Sequence, residues 1–207
     1  MICKIDKLIL NYDNIFFTSD EHFDHKNIIA SCNRPFLSID EMNITMIKNW
    51  NNVVGKNDLV FVLGDFCWTQ ESRWIKILTQ LNGTKILIRG NHDRRRHIPE
   101  NEFYLVYDGF VNIQIDAQLI TICHYPMLSW YQSHRGAWQL FGHWHSTTVE
   151  VNDKCIPESI EELTEYVKIE KQQYSKTTKR QYDVGVDGND FTPISFEQLN
   201  QIINGKI

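Results

Sequence analysis

No stretch of this chain stays apolar long enough to span a bilayer. Its opening residues, Met1 to Lys7, lack the apolar core of a secretory signal, so a soluble cytoplasmic protein with no membrane partner is the expectation. Cysteine is scarce and unpatterned: Cys3, Cys32, Cys67, Cys123 and Cys155 are odd in number and contain no Cys-x-x-Cys pair. That argues against a disulfide framework and for reduced thiols in a cytosolic compartment. Positive charge is also short, since 21 Lys and Arg against 26 Asp and Glu leave a net charge of −5. General affinity for nucleic acid is therefore disfavoured, and no stable nucleic-acid partner is expected. Low-complexity tracts are absent. The 207 residues leave room for one well-filled core and little for a second domain. A hydrophobic content of 42% with 12% aromatic residues is ordinary for a globular chain and excludes wholesale disorder.

What the chain does contain is one arrangement repeated along its length: an apolar run that stops at residues able to bind metal or move protons. Ile86 to Ile88 leads through Arg89 into Gly90-Asn91-His92-Asp93, where Gly90 allows a sharp turn through backbone angles closed to other residues. Asn14 to Thr18 runs into Ser19-Asp20-Glu21-His22, and extended geometry would point Asp20 and His22 one way and Glu21 the other. Leu59 to Leu63 reads as a strand buried on both faces, ending at Gly64-Asp65. Gln118 to Cys123, paired with Val111 to Ile115 as a hairpin, ends at His124. Trp138 to Phe141 ends at Gly142-His143-Trp144-His145, where the same alternation makes His143 and His145 converge.

Helical signals fill the gaps. Ser38-Ile39-Asp40-Glu41 is a capping box, and Met42, Met46, Ile47 and Trp50 follow at helical spacing. Thr69 to Leu81 is amphipathic with Gly83 just beyond it, and Ser195 to Ile203 is a closing helix capped by Ser195 and Gln198. The order strand–helix–strand–helix–strand predicts parallel pairing and an α/β fold. Residues 151–181 shift to a charged helical composition with a polar tail. They read as a helical insertion within a single domain spanning 1–207, over the sheet edge or the mouth of the site; a solvated surface helix is the simplest account of them.

The strand-end groups are Asp20, His22, Asp65, Asn91, His124, His143 and His145. They are too many for one tetrahedral ion but suit two ions sharing a bridge. A carboxylate bridges naturally through its two oxygens, and Asp65 is the candidate. Mixed oxygen and nitrogen donors without thiolate favour Mn²⁺, Fe, Zn²⁺ or a similar ion such as Ni²⁺, and the residues do not choose among them; Mn²⁺ is the working expectation.

In this order, Asp20-x-His22, Gly64-Asp65, Gly90-Asn91-His92-Asp93, His124 and Gly142-His143-x-His145 resemble the five-part signature of the calcineurin-like metallophosphoesterases, across most of the chain. The resemblance implies a two-sheet α/β sandwich, the four-layer metallophosphoesterase fold, with flanking helices and two metals about 3.5–4 Å apart. It implies Asp20, His22, Asp65 and His145 around one ion, and Asp65, Asn91, His124 and His143 around the other. His92 would face the phosphate and donate to the leaving oxygen, with Asp93 orienting it, while metal-activated water attacks in line. Lys26, Arg34 and Arg94 are candidate phosphate contacts, and His25 a candidate substrate contact.

Phe66-Cys67-Trp68-Thr69 and Asp93 depart from the Gly-Asp-x-x-Asp-Arg and Gly-Asn-His-Glu of the protein serine/threonine phosphatases, which counts against phosphoprotein substrates. The Ser19-to-Ile29 opening, Arg34-Pro35-Phe36 and the closing Asp183-Val184-Gly185-Val186-Asp187 look like the small bacterial and phage branch. The expectation is a two-metal phosphodiesterase acting on a small nucleotide-type substrate. A phosphomonoesterase or nuclease of the same fold is the alternative. A non-catalytic metal-binding scaffold is disfavoured by the full ligand set.

Overall fold

The computed structural model describes residues 1–93, 98–145 and 180–205. Its first element is a hairpin of β1 (Ile2–Ile5) and β2 (Leu8–Asn11), turned at Asp6, whose φ of 51° is left-handed. Four parallel strands follow: β3 (Ile15–Thr18), β4 (Leu59–Val62), β5 (Thr84–Ile88) and β6 (Leu105–Tyr107). The hairpin β7 (Phe110–Ile115) and β8 (Gln118–Cys123) leads to β9 (Trp138–Phe141), β10 (Gln181–Asp183) and the two-residue β11 (Ile194–Ser195). They assemble into two mixed sheets, ordered β10-β9-β8-β7-β1-β2 and β11-β3-β4-β5-β6. The parallel core of the second sheet is the predicted α/β element; the β1–β2 hairpin, β6 and β11 were not apparent in the sequence, being too short for a periodic signal.

Alternation along the strands decides which layer each side chain enters. Ile15 and Phe17 of β3, with Leu59 and Phe61 of β4, point into the core between the sheets, where they meet Ile113, Ile122, Trp138 and Leu140 of the other sheet. Phe16, Val60 and Val62 point the opposite way, toward helices α1 (Lys26–Ser31), α2 (Ile39–Val53) and α3 (Glu71–Leu78). A strand with helices on one face and a sheet on the other has no wet face, which is why Leu59 to Leu63 is continuously apolar. Helix α4 (Phe196–Ile203) closes the inter-sheet core, with the Phe196 ring 5.5 Å from that of Trp138.

The caps differ from one another. Ser195 and Gln198 form the complete reciprocal box at α4. At α2, Ser38 accepts from the Glu41 amide, but the Glu41 carboxylate reaches back one residue further, to the Leu37 N–H at 2.8 Å. Helix α3 is shorter than the predicted 69–81: Gln70 is extended before it, and at and beyond its end the Leu78 and Leu81 carbonyls accept from the buried Lys85 ammonium. Burial pushes that lysine down to about 8. Residues 151–179 of the predicted insertion lie outside the described residues, and Gln181, at its predicted end, belongs to β10.

Phe61 is fully buried and its ring stacks on Phe17 at 5.4 Å. Phe61→Ala should lower unfolding free energy by about 3–5 kcal/mol, read from the midpoint of a urea transition.

Candidate metal centre

All the motif loops leave the carboxyl ends of their strands: Ser19–His22 after β3, Gly64–Asp65 after β4, Gly90–Asp93 after β5, His124 after β8 and Gly142–His145 after β9. They meet where the two sheets approach, joined by the Ser19–Gly185 bridge. Extended alternation is not what makes the side chains converge. Asp20 (φ 60°), His22 (50°), Asp65 (55°), His143 (74°) and His145 (51°) all hold left-handed backbone. Each such non-glycine residue costs about 1–2 kcal/mol, and this strain collects at the functional end of the sheets. Backbone bonds between loops hold it: the amides of Asp20 and His22 donate to the Gly64 and Asp65 carbonyls, each at 3.0 Å.

The glycines answer to space as much as to turning. Gly64 does take a φ of 95°, but Gly90 and Gly142 have no positive φ. A Cβ on Gly90 would run into the Asp65 carboxylate and into the Asp65 amide nitrogen at 2.7 Å. On Gly142 it would meet Ser19 Oγ and Asp20 Oδ2. Their bare backbones let neighbouring carboxylates come within reach of loop amides: His92 N–H donates to Asp65 Oδ1 at 2.9 Å, and His143 N–H to Asp20 Oδ2 at 2.7 Å. The turn role expected of Gly90 is thus replaced by close approach.

The ring nitrogens gather on the other carboxylate oxygens. Around Asp65 Oδ2 lie the Nε2 atoms of His124 at 3.5 Å, His22 at 3.7 Å and His92 at 3.8 Å. Around Asp20 Oδ1 lie those of His145 at 3.8 Å and His22 at 4.0 Å. These separations exceed a hydrogen bond. They approach the spacing of ligands held about 2.0–2.2 Å from a common ion. Asp20 Oδ1 and His22 Nε2 are buried with no hydrogen-bond partner at all. Among the described residues three donor groups could hold an ion: Asp20–His22–His145 and Asp65–His124–His143 at this centre, and Cys32–His145–Asp187 beside it. Asn91 Oδ1 sits 3.0 Å from His124 Nε2, whose ring is fixed from behind by Nδ1 on the Leu63 carbonyl at 2.7 Å.

Burial pushes the Asp20 carboxyl up to about 6, opposed by the charges of His124 and His145. Burial acts on Asp65 in the same direction, yet the bond and charge of His124 and the charge of His22 hold it at about 2. Burial should lower the imidazoles, and His22 does fall well below its usual value. His124 nevertheless stands at about 9, drawn up by Asp65 and Asp20. A dry pocket with two carboxylates draws in positive charge.

The remaining predicted residues fall out as follows. Asp93 is fully buried, and its carboxylate accepts the amides of Asp65 at 2.7 Å, Gly90 at 2.9 Å and Phe66 at 3.4 Å. It therefore ties the β4 and β5 loops together. Arg34, expected at the substrate, is buried: its Nε and Nη2 grip Asp187 at 2.7 and 2.8 Å. That corrects the expectation, because its donors face inward. His25 stacks on Trp68 with ring centroids 3.8 Å apart, and its Nδ1 is 3.3 Å from His22 Nδ1. Lys26, exposed at the start of α1, lines a neighbouring 770 Å³ cleft with Arg73, whose guanidinium is paired to Asp24. Arg94 lies outside the described residues. Asp187, 2.8 Å from His145 Nδ1, was not among the predicted site residues; Gly185-Val186-Asp187 after a strand is a loose echo of the strand–glycine–ligand arrangement.

A family model described as calcineurin-like phosphoesterase matches residues 14–167. The chain is 33% identical over 196 residues to an uncharacterised protein of Methanocaldococcus jannaschii, covering 93% of each. It is 39% identical over 83 residues to the gene 66 protein of Mycobacterium phage L5, which spans 39% of this chain and 40% of that one. Among solved structures it is similar to a protein of unknown function from Aquifex aeolicus, with a TM-score of 0.63 and 24% identity over 91% of this chain and 98% of that one. That last likeness bears on the fold alone.

If close approach is the reason for Gly90, then Gly90→Ala should destabilise the protein by about 1–3 kcal/mol despite an ordinary φ, as overpacking does. Thermal melting measures this; an unchanged melting temperature would show that the carboxylate has room to move aside.

Proposed function

This chain belongs to the calcineurin-like phosphoesterase family, and we propose that it is a two-metal phosphodiesterase acting on a small nucleotide-type diester. Metal-dependent hydrolysis of phosphoric esters is the family's activity. The observation that carries the metal reading is the pair of buried, unpartnered atoms, Asp20 Oδ1 and His22 Nε2, beside an Asp65 oxygen ringed by three imidazole nitrogens at 3.5–3.8 Å. A cation completes what no hydrogen bond there does. Asp20, His22, Asp65 and His145 would hold one ion, and Asp65, Asn91, His124 and His143 would hold the other. When bound, divalent ions such as Mn²⁺ supply Lewis acidity toward the phosphoryl oxygens and lower the pKa of water.

The protein's own groups do the rest. The Leu63 carbonyl holds the His124 ring so that Nε2 faces inward. Among the imidazoles around Asp65, His92 is the most open, 36% exposed against 2% for His22 and 1% for His124. Its amide is pinned to Asp65 Oδ1, and this openness supports His92 as the group that meets a substrate and gives a proton to the departing oxygen. Two arginines near the site, Arg34 and Arg73, are already engaged by Asp187 and Asp24. The His25–Trp68 stack beside His22 and His92 supports a substrate with a flat base. The described cysteines are all free thiols, in keeping with a reducing, cytoplasmic setting, and no helix among the described residues is long and apolar enough to cross a membrane.

The deciding assay compares a chromogenic diester with its matching monoester, with metal content measured on the same sample. Diester turnover should vanish on chelation and return with Mn²⁺; preference for the monoester would overturn the substrate class. His92→Ala should cut turnover about 10²–10⁴-fold while both ions stay bound, and a loss of metal would refute its assignment. Asp65→Asn should lower occupancy of both ions together, as counted by metal analysis; loss of one alone would refute the bridge.

A further inference from the structure

Asp187 lies on the turn that follows β10, in a side-chain position only 2% exposed. Its Oδ1 accepts from Arg34 Nε at 2.7 Å, and its Oδ2 accepts both Arg34 Nη2 and His145 Nδ1 at 2.8 Å. The guanidinium's other N–H groups are engaged as well. Nη2 also donates to the Asp20 carbonyl at 2.7 Å, and Nη1 to the Glu21 carbonyl at 2.8 Å and the Met42 sulfur at 3.5 Å. One buried ion pair thereby grips the strained backbone at Asp20 and the ring of His145, two groups of the same donor set.

We propose that Asp187, clamped by Arg34, is a positioning residue for that ion: it holds the Nδ1 proton of His145 and so commits the Nε2 lone pair to the metal shared with Asp20. A carboxylate gripped by a guanidinium is an acceptor only, so the nitrogen facing it must carry hydrogen. The opposite tautomer would put the proton on Nε2, where the ion must bind. The negative charge behind the ring also raises the basicity of Nε2. Arg34 keeps Asp187 in this role by occupying both its oxygens. For the same reason the nearby cluster of Cys32, His145 and Asp187 does not amount to a further metal site, since its carboxylate is already bound on both sides.

The inference rests on the proposed reading that His145 is a metal ligand, and its test reads ion affinity and protonation as well as turnover. Full-length protein is stripped with chelator, and Mn²⁺ uptake is measured by equilibrium dialysis, with ¹⁵N–¹H spectra of His145 recorded on the Zn²⁺-loaded form. The wild type should show a hydrogen-bonded Nδ1–H and two bound Mn²⁺. Asp187→Asn, close to isosteric, should weaken one Mn²⁺ by about 10–100-fold and leave the other unchanged. A merely structural role would lower the melting temperature without that selective loss, as Asp58→Asn, which disturbs a loop clamp on Asn14 and Gly55, should do. Should Asp187→Asn fail to fold, Arg34→Met combined with Asp187→Leu removes the clamp without stranding a buried charge, and should show the same selective loss. Unchanged affinity for both ions, or a proton on Nε2 in the wild type, overturns the proposal. A wild type that binds no metal overturns it together with the proposed function. Two bound Mn²⁺ with no ester hydrolysed would overturn only the activity.

Discussion

Two carboxylates held out of water impose most of what is particular about this protein. Asp20 and Asp65 end neighbouring parallel strands and are 0% and 2% exposed. Their charge is tolerable there only if it is met by hydrogen-bond donors and by cations. Amides supply the first: His143 to Asp20, and His92 to Asp65. Imidazoles from four loops supply partial positive charge, and still leave Asp20 Oδ1 and His22 Nε2 without partners. Ions fit that deficit, and the strained loops, the bare glycines and the buried Asp93 clamp all serve to hold the deficit in place.

Strain of this kind survives only on a stiff support. The five-stranded sheet provides it, because its strands are packed on both faces, against the second sheet on one side and α1–α3 on the other. The left-handed residues begin within three positions of where β3, β4 and β9 end, so the rigid part of each strand delivers the chain directly into the strained part. Asp93 and Arg34 extend the support beyond the sheet. Asp93 does so by binding three amides from two loops, and Arg34 by bridging the Asp20 loop to the turn after β10.

The site also joins the two sheets. His124, His143 and His145 come from the sheet of β8 and β9, while Asp20, His22, Asp65 and Asn91 come from that of β3, β4 and β5. Each candidate donor group draws on both sheets, so the inter-sheet core sets the geometry of the candidate metal centre as well as the stability. Phe17, Phe61 and Trp138, three large side chains of that core, lie within strands that bear motif loops.

By itself the sequence determined which residue types stand at which strand ends. Apolar runs, caps and the strand–glycine–ligand repeat are local patterns, and local patterns survive without knowledge of what packs on what. They were enough for the parallel core and for the α4 capping box, and they singled out strand-end residues that the fold gathers into two groups, Asp20–His22–His145 and Asp65–His124–His143. The tertiary structure decided how those groups face each other. Convergence came from left-handed turns instead of strand alternation, and Gly90 proved to answer to the space taken by Asp65. Arg34 found its partner Asp187 153 positions along the chain. A side chain's partner at that distance depends on which strands pair and which loops close over them, and no window of sequence carries that information.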